Sequence, residues 1–264
     1  MPEDARPQDR QTIEKMNRVK YEQYYSAASL CPVGCAEEDE YFSELTRIRF
    51  ALITKYAYGK TALDLCCGTG YHLLETRHLL KSGVGVDFSL RMISAAKSKK
   101  EMMHVQNVEF VVCNARQIPF REGTFDCVYS FSSLYYIPWH EEVVFEVARV
   151  LKPGSIAILE FGNLHSLNTI VCRAYPELAI PCHIATSEMN ETVRDAGLEV
   201  LRRRRFQILP LWGNKPWWLR PLLHPLWKRV LKREIGQKMI DEHICSMRVL
   251  GSYCFRHILI CRKI

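Results

Sequence analysis

The residues that invite a chemical reading are Asp64-Leu65-Cys66-Cys67-Gly68-Thr69-Gly70, followed by Asp87. An apolar run enters this glycine turn and an amphipathic segment leaves it. Glycines there let the backbone take positive φ and approach a ligand closely. The N–H groups of the helix that follows face the same point. Such a turn at the end of a first strand places a ligand at the sheet's switch point. The spacing excludes two familiar ligands. A dinucleotide fingerprint needs a third glycine where Leu73 stands, and the G-x4-G-K-[ST] phosphate loop is absent. A carboxylate at Asp64 repels phosphate and suits a ligand carrying positive charge. Asp87, in Gly85-Val86-Asp87-Phe88-Ser89, stands where nucleoside-binding α/β folds place an acid on the ribose hydroxyls. Both acids would equally serve as helix caps.

A phosphate-free ribose joined to a cationic amino-acid moiety describes S-adenosylmethionine. In its motifs the sequence resembles the class I S-adenosylmethionine-dependent methyltransferases, in the group acting on small molecules. Asp64 to Gly70 is similar to the first motif and Asp87 to the ribose acid. Asn114-Ala115, before Ile118-Pro119-Phe120, resembles the third-strand motif that meets adenine. Thr124-Phe125-Asp126-Cys127-Val128 resembles the fourth strand, and Arg149-Val150-Leu151-Lys152-Pro153-Gly154 the approach to the fifth. The resemblance covers about residues 58–206 and the last strand. It departs in two places: Cys66 replaces the first glycine of the motif, and Asn114 replaces the usual Asp.

The resemblance implies cofactor contacts from Asp64, Cys66, Cys67, Gly68, Gly70, Tyr71, Asp87, Phe88, Met92, Asn114, Ala115, Ser130 and Phe131, with Tyr25 reaching in from an N-terminal helix. Tyr25, Phe88 and Met92 read equally as packing residues. Methyl transfer from a sulfonium needs positioning first, and a general base only where the acceptor must lose a proton. Catalytic candidates are therefore few: Tyr136, His140 and His165, with His183 beside them. Aromatic packing or a structural histidine explains each as well. No metal site is expected.

These residues need a scaffold. From Thr61 onward short apolar runs alternate with amphipathic segments. Strands are expected at Thr61–Cys66, Val84–Val86, Val108–Cys113, Phe125–Phe131, Ser155–Phe161, Leu198–Ile208 and Tyr253–Arg262. Helices are expected at Tyr71–Leu80, Leu90–Lys100, Glu141–Leu151 and Ser187–Ala196. That alternation predicts a Rossmann-like, doubly wound α/β fold. Its seven-stranded sheet would be mostly parallel with an antiparallel last strand. Residues 1–57 would form an N-terminal helical arm and lid, and residues 58–264 the main domain with an inserted segment at about 209–251. That segment holds Trp212, Trp217, Trp218 and Trp227 among Pro and basic residues. It reads as a lid over an apolar or anionic acceptor pocket, as a packed subdomain, or as a peripheral membrane contact.

Composition sets the outer bounds. The chain has 264 residues, 48% hydrophobic and 25% charged, which excludes a disordered or fibrous protein. Of 36 Lys and Arg, fifteen fall from Leu198 onward, against four of the 29 acids. The net charge of +7 is thus a basic C-terminal region behind a slightly acidic remainder, and it excludes a uniformly basic nucleic-acid coat. No RNA-binding module or Asn-Pro-Pro-Tyr-type tetrapeptide is present. A small-molecule acceptor is therefore preferred over RNA or protein, with a non-catalytic cofactor-binding scaffold as the third reading. The eleven cysteines show no paired CxxC spacing, so neither a disulfide framework nor a zinc site is expected. The polar N-terminus has no apolar signal core, which predicts a cytoplasmic protein.

Overall fold

The computed structural model describes residues 7–24, 40–175 and 181–264. Tyr25, a candidate cofactor contact, lies outside the described residues. Helix α1 (Pro7–Tyr24) and helix α2 (Glu40–Ala57) precede the sheet. Strand β1 (Thr61–Leu65) then leads into α3 (Tyr71–Thr76), β2 (Ser82–Asp87), α4 (Leu90–Met102) and β3 (Val108–Val112). The chain continues through β4 (Phe125–Ser130), α5 (His140–Val150), β5 (Leu151–Gly162), α6 (Leu167–Arg173), α7 (Thr186–Asp195) and β6 (Leu198–Phe206).

The seven strands of the main sheet stand in the order β3-β2-β1-β4-β5-β9-β6, where β9 is Arg256–Lys263. Pairs among β1 to β5 are parallel, and β9 runs antiparallel to both β5 and β6. This is the expected Rossmann-like architecture, and the antiparallel last strand inserts between β5 and β6.

Side chains alternate across each strand, so β1 can be apolar on both faces. Ala62 packs with Leu45, Leu52 and Ile53 of α2 on one side. Leu63 and Leu65 pack with Val143 and Val147 of α5 and Val193 of α7 on the other. The period-2 strands and 3.6-period helices thus meet as two covered layers, and each fully buried Leu or Val stabilises the fold by roughly 1.5–3 kcal/mol. With both faces covered, the strand ends are left for function.

Between β6 and β9 lie α8 (Arg220–Leu223), α9 (Leu226–Leu231), a short hairpin of β7 (Glu234–Ile235) with β8 (Lys238–Met239), and α10 (Ile240–Ser246). Arg204 of β6 holds Glu242 of α10 through two hydrogen bonds of 2.8 and 2.6 Å, which ties the insertion to the sheet. One cysteine differs from the sequence expectation. Cys254 is not a free apolar thiol but is disulfide-bonded to Cys245 of α10. The two Cα atoms are brought to 5.9 Å by the turn before β9, a proximity that spacing alone does not reveal.

Candidate functional site

The glycine turn takes its shape from its backbone. Gly70 has φ +75, and a Cβ built on it would lie 2.5 Å from the Phe110 ring, so no larger residue fits. Cys66, where the resembled motif has glycine, also takes positive φ, at +59. A side chain there carries strain of order 1–2 kcal/mol. The Gly68 N–H donates to Asp87 Oδ2 at 3.0 Å, and the Ser89 N–H to Oδ1 at 3.0 Å. The two motif acids are thereby gathered at the carboxyl ends of β1 and β2.

A cavity opens there. Its floor is Leu65 and Cys66 after β1, Asp87 and Phe88 after β2, and Asn114 and Ala115 after β3. Ser132, Ser133 and Tyr136 form the wall beyond β4. Helix α1 closes the top with Glu14, Asn17, Arg18 and Tyr21. The Tyr21 ring packs 5.4 Å from the Phe88 ring, and the Arg18 guanidinium lies 5.2 Å over the same ring. Asn17 Nδ2 donates to the Tyr136 carbonyl at 2.9 Å. Glu14 reaches Arg116 at 3.3 Å, and Arg10 pairs with Glu141.

The electrostatics fit a cationic ligand. Asp64 is 2% exposed, and its Oδ2 has no hydrogen-bond partner. Burial, then the nearby Asp87 charge, pushes its pKa well above the usual carboxylate range. Asp87 is raised to about 6, again mainly by burial and against the N–H groups of Ser89 and Gly68. An ammonium and ribose hydroxyls would satisfy these oxygens. Asn114 Oδ1 accepts the Arg116 N–H at 3.1 Å, and its second lone pair remains for an amino donor. A competing thiolate chemistry is not supported. Burial, with Asp87 next, pushes the Cys66 thiol well up, and Cys67 behaves alike.

The structure separates the expected site residues. Cys66, Asp87, Phe88, Asn114, Ala115 and Tyr136 line the cavity. Cys67, Gly68 and Gly70 shape the turn beneath it, with the Gly70 N–H donating to the Cys67 carbonyl at 2.9 Å. Tyr71 opens α3 and packs on Phe50 at 5.5 Å, away from the cavity lining. Met92 is fully buried behind Ser89, whose side chain caps α4 by accepting the Met92 N–H. Ser130 and Phe131 are buried as well, with Phe131 against Tyr129 and His72. Ser132 and Ser133 form the wall in their place, because the chain turns at Ser132 with φ +57.

Of the catalytic candidates, Tyr136 alone lines this cavity. His140 is buried at the start of α5, 3.6 Å from Glu188 Oε1. His183 is buried with Nδ1 on Thr169 Oγ1 at 2.7 Å. His165 lines a different cavity. No residue of the segment 209–251 lines the cofactor cavity; α1 stands there instead.

Other functional residues are not apparent from sequence. Glu160, at the end of β5, is completely buried between two guanidiniums. Arg49 Nη2 lies 2.7 Å from Oε2, and Arg256 also pairs with the carboxylate. Burial alone would raise the Glu160 pKa, but Arg49 and Arg256 outweigh it and hold the group low. Both arginines also donate to Ser132 Oγ, at 2.7 and 3.1 Å. The one available signal is a charged residue inside the apolar run Ile156-Ala157-Ile158-Leu159-Glu160-Phe161.

Residues 62–154 match the model of a methyltransferase domain family. Over 99 residues the chain is 40% identical to a demethylmenaquinone methyltransferase of Oceanobacillus iheyensis, covering 36% of this chain and 42% of that protein. The match thus spans less than half the length of that curated relative. Among solved structures, geranyl diphosphate C-methyltransferase from Streptomyces coelicolor, in complex with Mg2+, geranyl diphosphate and S-adenosyl-L-homocysteine, superposes with a TM-score of 0.59. It is 17% identical over 84% of this chain and 80% of its own. The cyclase SpnF superposes with a TM-score of 0.57, 20% identity, and coverage of 83% and 80%.

Fold and motif agree over one segment: within the Rossmann-like sheet, residues 62–154 match a methyltransferase domain model. No described helix is long and apolar enough to cross a membrane.

Proposed function

We propose that this protein transfers a methyl group from S-adenosylmethionine to O, N or C of a small molecule. The observation that carries the reading is the buried Asp64 carboxylate, whose Oδ2 has no hydrogen-bond partner, close to Asp87 in the cavity that α1 covers. The cofactor supplies a methyl group already activated by the positive sulfur. Asp87 then accepts the ribose hydroxyls, and Asp64 and the 66–70 turn hold the cationic amino-acid end. Phe88, Asn114 and Ala115 form the adenine side. Ser132, Ser133 and Tyr136 face the space left for the acceptor, and the Arg49–Glu160–Arg256 network fixes Ser132 from behind. The residues' work is alignment and exclusion of water, which suits a reaction whose leaving group needs no acid.

A quinone-like apolar acceptor is favoured by the similarity to demethylmenaquinone methyltransferase and by Tyr136 in the cavity wall, whose ring packs 4.8 Å from the buried Tyr135 ring. Peripheral contact with a lipid surface would deliver such an acceptor. Trp217 and Trp218 are 76% and 54% exposed among basic residues, the composition of an interfacial patch. The cytoplasmic reading is part of the same proposal.

Calorimetry with S-adenosylhomocysteine tests the site. Asp87→Ala should weaken binding at least tenfold, the loss of about 1.4 kcal/mol or more expected from a charged acceptor of ribose hydroxyls. Unchanged affinity would sink the assignment.

A further inference from the structure

A second cavity opens beside the carboxyl end of β5 and the start of β9, and it shares no lining residue with the first. His165, Thr186, Ser187, Arg205, Ser252 and His257 line it, and no carboxylate does. Strand register sets His257 opposite Phe161 on one side and Arg205 on the other. Neighbouring strand residues point to opposite faces. Arg256 joins Arg49 on the α2 face, so His257 lies on the face covered by α7, as do Leu259 and Cys261 after it. The cavity is therefore across the sheet from the Arg49–Glu160–Arg256 network.

Three kinds of donor meet there with no carboxylate to receive them. The first is His257, 1% exposed. Arg203 Nη1 lies 3.3 Å from its Nδ1. A guanidinium only donates, so Nδ1 accepts and the ring proton sits on Nε2. Nε2 has no hydrogen-bond partner of good geometry, the Cys254 carbonyl being the one backbone acceptor near the ring, and a buried donor so poorly paired is costly. Burial, then Arg203 and Arg205, lowers this imidazole to about 3, against a smaller opposing pull from the Cys254 carbonyl, and the ring is neutral. The second is Arg205, whose guanidinium has no ion-pair partner among the described residues and packs against Gly251. The third is the start of the ten-residue helix α7. Its N-cap is Ala185, with no side-chain cap, so first-turn N–H groups lack the acceptor a Ser or Asp would supply. The Glu188 carboxylate of that turn takes the Ala185 N–H and approaches His140; it does not line the cavity.

We propose that this second cavity binds a phosphate-sized oxyanion, held by the His257 Nε2–H, the Arg205 guanidinium and the N-terminus of α7. An oxyanion supplies acceptors to all three at once, and the helix dipole and the arginine favour its charge. Free inorganic phosphate and the phosphoryl group of a small metabolite share this chemistry. The site stands apart from the methyl-transfer reading and survives its failure.

The test is a thermal-shift and NMR titration of the full chain at neutral pH, with ionic strength held constant by chloride. Inorganic phosphate is one probe and glycerol 3-phosphate the other. Either probe should give a saturable rise in Tm and move the His257 imidazole resonances. Arg205→Gln should weaken the response about tenfold. Ser187→Asp places a carboxylate at the helix start; it should keep or raise the Tm without phosphate and abolish the response. Tighter binding of the monoester identifies a phosphorylated metabolite as the ligand, and tighter binding of phosphate identifies the free ion. No saturable rise with either probe, or equal affinity in both variants, overturns the proposal.

Discussion

Asp87 shows how a buried carboxylate weakens the protein that carries it. Its pKa is raised from 3.8 to about 6 by burial. A carboxylate whose folded pKa is raised binds its proton more tightly in the folded state than in the unfolded one. Its contribution to stability is therefore most favourable below the unfolded value and falls as pH rises from about 4 to about 6, then stays flat. Asp87→Asn should remove that slope, so urea unfolding of the cofactor-free variant should show a smaller loss of stability across this window than the parent chain. The same variant should bind S-adenosylhomocysteine more weakly. Cys66 is a second residue-scale case. Its φ of +59 suits glycine, so Cys66→Gly should stabilise the protein by roughly 1 kcal/mol, read as a higher urea midpoint at unchanged m. The two acids and the turn were legible from residue type and spacing. The positive φ of Cys66 was legible only as a departure from a motif, since a cysteine gives no conformational signal of its own.

If the proposed function holds, helix α1 is the element on which cofactor retention depends. It packs no large apolar stripe into the core; it is held by Tyr21 and Arg18 on Phe88, by Asn17 on the Tyr136 carbonyl, and by ion pairs to Arg116 and Glu141. Half-exposed ion pairs are screened by salt. Raising salt from roughly 0.05 to 0.5 M should therefore speed S-adenosylhomocysteine dissociation, measured by stopped-flow fluorescence. Glu14→Ala should show faster dissociation and a weaker salt response. An unaltered rate would remove α1 from the cofactor site. The polar sequence of this segment reads as a helical arm, and its role as a lid came only from the family resemblance. Its place over the strand ends comes from contacts with residues far along the chain, from Phe88 to Glu141, which no local pattern encodes. The insertion between β6 and β9 illustrates the converse. Its tryptophans mark it in the sequence, yet it leaves the cofactor cavity to α1 and joins the sheet through Arg204 and Glu242.

The Arg49–Glu160–Arg256 network belongs to the whole molecule, because α2, β5 and β9 each supply one member and are far apart in the chain. Glu160→Gln leaves two buried guanidiniums without their shared carboxylate. It should cost about 3–5 kcal/mol in urea unfolding, and a loss below roughly 1 kcal/mol would mean that water or another carboxylate replaces Glu160. The parallel β1 to β5, the alternation of elements and the placing of two acids at the first two strand ends were determined by the sequence alone. Strand alternation, glycine turns and buried carboxylates act locally and leave a local pattern. Tertiary structure alone decided which residues close the cavity, that Ser132 rather than Ser130 or Phe131 forms its wall, that Cys245 meets Cys254, and that His257 and Arg205 face one space from neighbouring strands. Those outcomes depend on which strands pair and on which face each side chain falls, and pairing across long stretches of chain is set by the packing of the whole sheet.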